Sequence, residues 1–183
     1  MQQLANHIIE WIRERVTVSN RTGTVLGLSG GIDSAVVAVL CKQAFPDNTL
    51  AAIMPCHSSE IDIAHAEMVA EMFDVETEFI DLSAIFDHLL TVLPGGDSVS
   101  ESERMARINI KPRLRMISLY YIAARCGSLV VGTGNRSEIS IGYFTKYGDG
   151  GVDIMPLGNL VKGQVRDLAK HLNVPQEIID KAP

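Results

Sequence analysis

Apolar and polar positions along this chain follow two periods that take turns. Leu4, Ile8, Ile9, Trp11 and Ile12 recur three to four residues apart and predict a leading helix over roughly residues 2–16. Thr24 to Leu28 is a short, β-branched apolar run, which predicts a strand at about 23–28. Ile32, Ala35, Val36, Val39 and Leu40 return to helical spacing. Pro46-Asp47-Asn48 then turns the chain into a second strand, Leu50 to Met54. Pro55 to Ser59 reads as a loop, and Ser59 with Asp62 has the spacing of a capping box. The helix it opens is expected to bury Ile61, Ala64, Met68, Val69 and Met72, with His65 partly buried on the same face rather than serving as a ligand.

The alternation continues to the end of the chain. A third strand is predicted at Glu76 to Ile80, a short helix near 83–91, and a turn at Pro94-Gly95-Gly96-Asp97. Ser100 and Glu103 repeat the capping spacing and open a helix that Pro112 interrupts or restarts, since proline is tolerated best in a first turn. Beyond it Leu114, Ile117, Ser118, Tyr121 and Ile122 are expected to face inward. A fourth strand, Ser128 to Val131, precedes a helix from about 136, a short fifth strand at Asp153 to Met155, and helical turns at 163–172 and 175–180. Strands separated by helices pair in parallel. The expected fold is therefore α/β: an open, mostly parallel five-stranded sheet with helices on both faces, of Rossmann-like type. In such sheets ligands bind beyond the carboxyl ends of the strands, where strand order reverses.

Composition changes this picture little but excludes several roles. The 183 residues suit one domain over 1–183, with 46% apolar residues supplying a core. No apolar run approaches the length of a membrane span, and Met1 to His7 shows no basic region followed by an apolar stretch. Cys41, Cys56 and Cys126 match neither a disulfide framework nor a metal pattern, so reduced, mostly buried thiols in a cytoplasmic protein are expected. A net charge of −6 argues against nucleic-acid binding, and an anionic substrate would need locally placed cations.

One segment carries chemistry of its own. Gly27-Leu28-Ser29-Gly30-Gly31-Ile32-Asp33-Ser34 joins the first strand to the following helix. At a helix N-terminus the first N–H groups lack intrahelical partners and the macrodipole is positive, so a phosphate is favoured there. Gly30 and Gly31 allow close backbone approach, and Ser29 and Ser34 add hydroxyl donors. Asp33 would repel a bare phosphate, which suggests a Mg²⁺ ion bridging the two. A glycine turn with an ordinary Ser/Asp cap is the plainer alternative.

Several further segments, together with this loop, resemble the ammonia-dependent NAD synthetases within the ATP pyrophosphatases, a group similar to the adenine nucleotide alpha-hydrolases. They are Asn109 to Met116, Val131 to Glu138, Gly142 to Asp153, Leu157 to Lys162 and Lys181-Ala182-Pro183, and they span nearly the whole chain. Phe144 to Asp153 is the most specific of them. Such chains continue past the final Lys-x-Pro with a segment that closes the site, so the chain is expected to lack that closure. The resemblance implies a ligase of NAD biosynthesis. ATP adenylates the nicotinate carboxylate of deamido-NAD, releasing pyrophosphate, and ammonia then displaces AMP. It also implies a homodimer, for which the leading helix and the Arg113–Arg125 helix are candidate contacts. Another ATP pyrophosphatase, GMP-synthetase-like or tRNA-thiolating, and a non-catalytic nucleotide-binding module are the alternatives.

By the same resemblance, residues 27–34, Thr133 and Lys162 would hold ATP, and Arg113, Lys146 and Asp153 would hold deamido-NAD. Lys146 and Asp153 would also be catalytic, Asp153 orienting or deprotonating ammonium. Asp33 and Glu138, at the ends of the first and fourth strands, would share Mg²⁺. Each has a plainer reading: Glu138 as a first-turn helix residue favoured by the dipole, Thr133 as an N-cap, Arg113 as a solvated side chain. Lys162 begins a helix, where a cation is disfavoured unless an anion is near. Met54 and Pro55 would border the adenine, and His57, His88 and His171 are expected on surfaces or at helix ends.

Overall fold

Strands rich in β-branched and small apolar residues and helices with apolar stripes alternate, and the computed structural model builds them into one sheet. It describes residues 1–94 and 100–181. The strands are β1 (Gly23–Gly27), β2 (Thr49–Ile53), β3 (Glu76–Phe79) and β4 (Ser128–Val131), all parallel, in the order β3-β2-β1-β4. The chain adds strands outward from β1 and then crosses to its other side. Strand order therefore reverses between β1 and β4, where a ligand crevice is expected.

Parallel pairing demands crossovers, and the helices supply them. Among the described residues they are α1 (Gln2–Val18), α2 (Ile32–Ala44), α3 (Glu60–Met72), α4 (Ser83–Val92), α5 (Glu101–Ile108), α6 (Ile110–Cys126), α7 (Arg136–Ile141), α8 (Lys162–His171) and α9 (Gln176–Asp180). Alternate strand residues enter two cores. Leu26, Ala51, Ile53, Leu129 and Val131 pack with residues of α1, α2, α3, α8 and α9. Val25, Ala52, Met54 and Val130 pack with Phe86 of α4 and Leu119, Ile122 and Ala123 of α6. None of the described helices is long and apolar enough to cross a membrane.

The sheet differs from expectation at one edge: it has four strands, not five, among the described residues. Residues 153–155 approach β4, but only Ile154 makes a bridge, to Val131. The Asp153 carboxylate itself accepts the Val130 N–H (2.8 Å), filling a ladder position with a side chain. Pro156, which has no N–H, follows at once and ends the pairing.

Two helix faces also differ. In α3, Ala66, Val69 and Ala70 are buried, whereas Ile61 is 64% and Met72 56% exposed. This helix carries apolar residues on two of its faces, so helical period alone could not fix its phase. The small alanines bring α3 close to the sheet. In α6, Leu119, Ile122 and Ala123 are buried and Ile117 and Tyr121 are exposed, one step round from the expected face. The break before α6 falls at Asn109, with Pro112 in the first turn. Ser59 and Ser100 cap α3 and α5 by accepting the Asp62 and Glu103 N–H groups. Cys41 and Cys56 are buried and Cys126 exposed, all free. The expected turn at Pro94–Asp97 runs into residues 95–99, outside the described residues.

Replacing Ile61 by alanine should therefore change unfolding free energy by less than about 0.5 kcal/mol. Val69→Ala should cost about 2 kcal/mol by leaving a cavity. Denaturant titration of both variants checks the phase of α3.

Candidate active site

The loop between β1 and α2 is folded around two hydroxyls. The Ser29 N–H donates to Ser34 Oγ (3.2 Å), the two hydroxyls lie 3.1 Å apart, and Ser34 donates to the Gly31 carbonyl (2.9 Å). Gly31 is the N-cap of α2, and no side chain caps that end. Gly30 has φ +75°, and a Cβ there would lie 2.1 Å from the carbonyl oxygen of Asp62. Only glycine lets the first turn of α3 rest against this loop.

Asp33, in the first turn of α2, is tied to the loop beyond β4. Its Oδ1 accepts from Asn135 Nδ2 (2.9 Å), and its Oδ2 is ion-paired with Lys162 Nζ. Asn135 is fully buried. Its Oδ1 accepts the Glu138 N–H, and Glu138 Oε2 accepts the Asn135 N–H, both at 3.1 Å, a complete capping box for α7. Asp33 and Glu138 are thus linked through one amide side chain at the switch point. The Lys162 N–H, at the start of α8, donates to Ser137 Oγ (3.1 Å), which draws that helix to the same place.

A cavity of about 360 Å³ opens beside the phosphate loop. Ser29, Met54, Pro55, Asp62, Arg115 and Thr133 contribute to its wall. Arg115 donates from Nε to the Met54 carbonyl (3.0 Å), and burial pulls its pKa below the ordinary value. A second cavity of about 190 Å³ is lined by Glu138, Tyr143, Phe144 and Asp149, and Asp149 borders both. One Asp149 oxygen accepts the Thr145 N–H (2.9 Å), pinning the glycine-rich turn.

Arg113, Lys146 and Asp153 lie outside the walls of both cavities. Arg113 Nε donates to the Lys146 carbonyl (3.3 Å), which joins those two. Lys146 Nζ sits 5.0 Å from the Tyr147 ring centre. Asp153 accepts from Tyr120 Oη (3.0 Å) and from the Val130 N–H. The structure therefore gathers Ser29–Ser34, Thr133, Glu138 and Lys162 around the switch point and leaves the other three apart from it, Arg113 joined to Lys146 and Asp153 held against β4. Of the histidines, His57 pairs with Asp87 (2.8 Å) at the surface, and His65 is half-buried.

Four residues of this site escaped the sequence reading. Asn135 was visible as Asn-x-x-Glu, the capping-box spacing. Asp149 stood in the glycine-rich segment without a signal to separate it from Asp153. Arg115 and Tyr120 depend on how α6 meets the strands, which no local pattern encodes. Among the described residues, no group of three or more His, Cys, Asp or Glu side chains is placed to hold a metal. Asp33 and Glu138 are two carboxylates with lone pairs to spare, which suits an ion that takes most of its oxygens from phosphate and water.

Comparison with known proteins agrees with this architecture. A family model described as NAD synthase matches residues 4–183. The NH(3)-dependent NAD(+) synthetase of Carboxydothermus hydrogenoformans is 46% identical over 182 residues, covering 100% of this chain and 74% of the relative. That of Finegoldia magna is 47% identical over 181 residues, covering 99% and 73%. Among solved structures, NMN synthetase from Francisella tularensis superposes with TM-score 0.93 at 36% identity, over 100% of this chain and 74% of that one. The NH3-dependent NAD synthetase of Campylobacter jejuni gives 0.90 at 36%, over 98% and 76%.

Burial, then the hydrogen bond to Asp153 and its charge, push the Tyr120 phenol from 10.0 up to about 12. The fold favours the neutral phenol, so this stabilisation is complete below about pH 10 and is lost as pH climbs toward 12. Ultraviolet titration should show one tyrosine ionising late, and Asp153→Asn should bring it earlier.

Proposed function

The chain belongs to the NAD synthase family and is a ligase of NAD biosynthesis; we propose that it adenylates the nicotinate carboxylate of deamido-NAD with ATP and passes the acyl group to ammonia. The observation that supports this best is the uncapped N-terminus of α2 beside the larger cavity, with Lys162 within reach. A carboxylate has a poor leaving group. Attack of its oxygen on the α-phosphorus of ATP forms the acyl adenylate and expels pyrophosphate, whose charge grows against the backbone N–H groups of residues 30–34. Ammonia then adds to the acyl carbon, AMP leaves, and one proton is released.

Adenine fits the wall formed by Met54 and Pro55, with Arg115 holding that strand end in place. Thr133 and Lys162 would contact the phosphates. Lys162, paired with Asp33, can exchange its carboxylate for phosphate. Mg²⁺, held by Asp33 and Glu138, would offset charge on the phosphates. Arg113, Lys146 and Asp153 would meet the dinucleotide along the β4 edge. Both oxygens of Asp153 already accept hydrogen bonds, whereas Asp149 borders both cavities. We therefore assign the ammonium proton to Asp149, with Asp153 holding Tyr120 and the dinucleotide.

Homodimerisation suits the exposed apolar side chains of α5 and α6 (Met105, Ile108, Ile117 and Tyr121). The stripe of α1 is consumed inside the subunit, where Ile8, Ile9, Ile12 and Val16 are buried. The reduced thiols and the absence of a membrane-crossing helix among the described residues suit a cytoplasmic setting.

Pyrophosphate release with ATP and Mg²⁺ tests the substrate. It should depend on deamido-NAD and not on xanthosine monophosphate or nicotinate mononucleotide; dependence on either of these would overturn the reading. Asp149→Asn should still form the adenylate but slow amide formation about a hundredfold, the scale of one proton-transfer group. Asp153→Asn should chiefly raise KM for deamido-NAD. The reverse pattern would return the proton to Asp153.

A further inference from the structure

Two lysines flank the phosphate loop, each held by a carboxylate: Lys162 by Asp33 and Lys181 by Asp62. The ligation chemistry above uses the first pair and leaves the second without a task. Lys181 follows α9 and reaches back across the fold to α3. There its Nζ donates to Asp62 Oδ1 and lies 3.5 Å from His65 Nδ1, so it meets two residues one helical turn apart. Asp62 sits in the wall of the larger cavity. Its backbone carbonyl is the atom that a side chain at residue 30 would strike. The first turn of α3 thus supports the phosphate loop and also brings a carboxylate to the space that a triphosphate must enter.

That carboxylate is ionised at neutral pH. Its pKa is held below the usual range first by the hydrogen bond from Lys181, with smaller help from Ser59. Left bare, Asp62 would repel the polyphosphate, and the repulsion would be felt because the cavity wall excludes part of the screening solvent. The chain offers little surplus positive charge to compensate, being −6 overall.

We propose that Lys181 is a positioning residue for ATP: it neutralises Asp62 and turns that carboxylate away from the phosphates, so that α3 can lie against Gly30 without opposing the nucleotide. The proposal rests on the phosphate loop being the ATP site. It requires that loss of Lys181 be repaired by loss of the Asp62 charge, a dependence that neither a direct lysine–phosphate contact nor a purely architectural ion pair predicts.

The test is a charge cycle on the full chain, read as KM for ATP, KM for deamido-NAD, kcat and equilibrium ATP binding. Lys181→Met should raise KM for ATP about tenfold, the scale of one exposed like charge, while kcat stays within about twofold. KM for deamido-NAD should not move. The defect should shrink in about 0.5 M salt, where the Debye length falls to a few ångströms. Lys181→Arg should behave as wild type, and Lys181→Met with Asp62→Asn should recover most of the ATP affinity. A double variant as poor as Lys181→Met would overturn the proposal, as would a loss shared equally by kcat and both KM values. If Lys181→Met does not fold, Asp62→Asn alone decides: its KM for ATP must fall, and a rise refutes the assignment. Wild-type protein that binds no ATP would instead refute the phosphate-loop reading itself.

Discussion

A single buried amide holds the two halves of the site together. Asn135 leaves β4 at the switch point, spends its carbonyl oxygen on the first turn of α7, and gives its NH₂ to Asp33 at the start of α2. The Asn135 side chain is itself fully buried, while its partners Asp33 and Glu138 are partly exposed. An unpaired buried polar group costs about 1–3 kcal/mol. The geometry follows from the sheet. Parallel pairing of β1 with β4 sets Leu26 opposite Val131, which brings the two following loops side by side. Asn135 converts that adjacency into a fixed distance between Asp33 and Glu138.

Around this joint the electrostatic problem is that an acidic chain must accept a polyanion. It does so with groups whose charge is local and already oriented. The first-turn N–H groups of α2 are fixed by the backbone and need no reorganisation when phosphate arrives. The two lysines are not left free, where they would sample many rotamers and hydrate strongly. Each rests on a carboxylate within the same region. Lys162, held in this way on Asp33, would lose less side-chain entropy on transfer to a nearby phosphate than a lysine recruited from solvent, whereas Lys181 would stay on Asp62. Asp33 would then be free to meet the divalent ion proposed above.

What the sequence made legible follows the range of the interactions involved. The glycine-rich turn between β1 and α2, the strand–helix alternation and the caps at Ser59 and Ser100 are short-range features, and the structure shows them where the residues place them. The buried face of α3 was only partly legible: Ile61, Ala64, Met68, Val69 and Met72 form as good a stripe as Ile63, Ala66, Val69 and Ala70, and only Val69, common to both, is buried as expected. Only the fit of small residues against β2 decides between them. The fifth strand failed for a related reason: Asp153-Ile154-Met155 has strand character, but a side chain took the hydrogen-bonding slot that a backbone would have filled. Arg115 depends on a contact with Met54 across sixty-one residues of chain, and no local pattern distinguishes it or Asp149 from their neighbours Arg113 and Asp153.

The close approach at Gly30 shows why the loop cannot be considered apart from α3. With the Asp62 carbonyl where a Cβ would stand, the loop's conformation is set from outside as much as by its own φ of +75°. An oxygen so near the phosphate site is a partial negative charge in an unfavourable place, and the Asp62 side chain adds a full one. Lys181, from the far end of the described chain, pairs with that carboxylate. Residues 30, 62 and 181 are remote in sequence yet form one electrostatic unit. On the proposed role of Lys181, the position of α9 would bear on nucleotide binding.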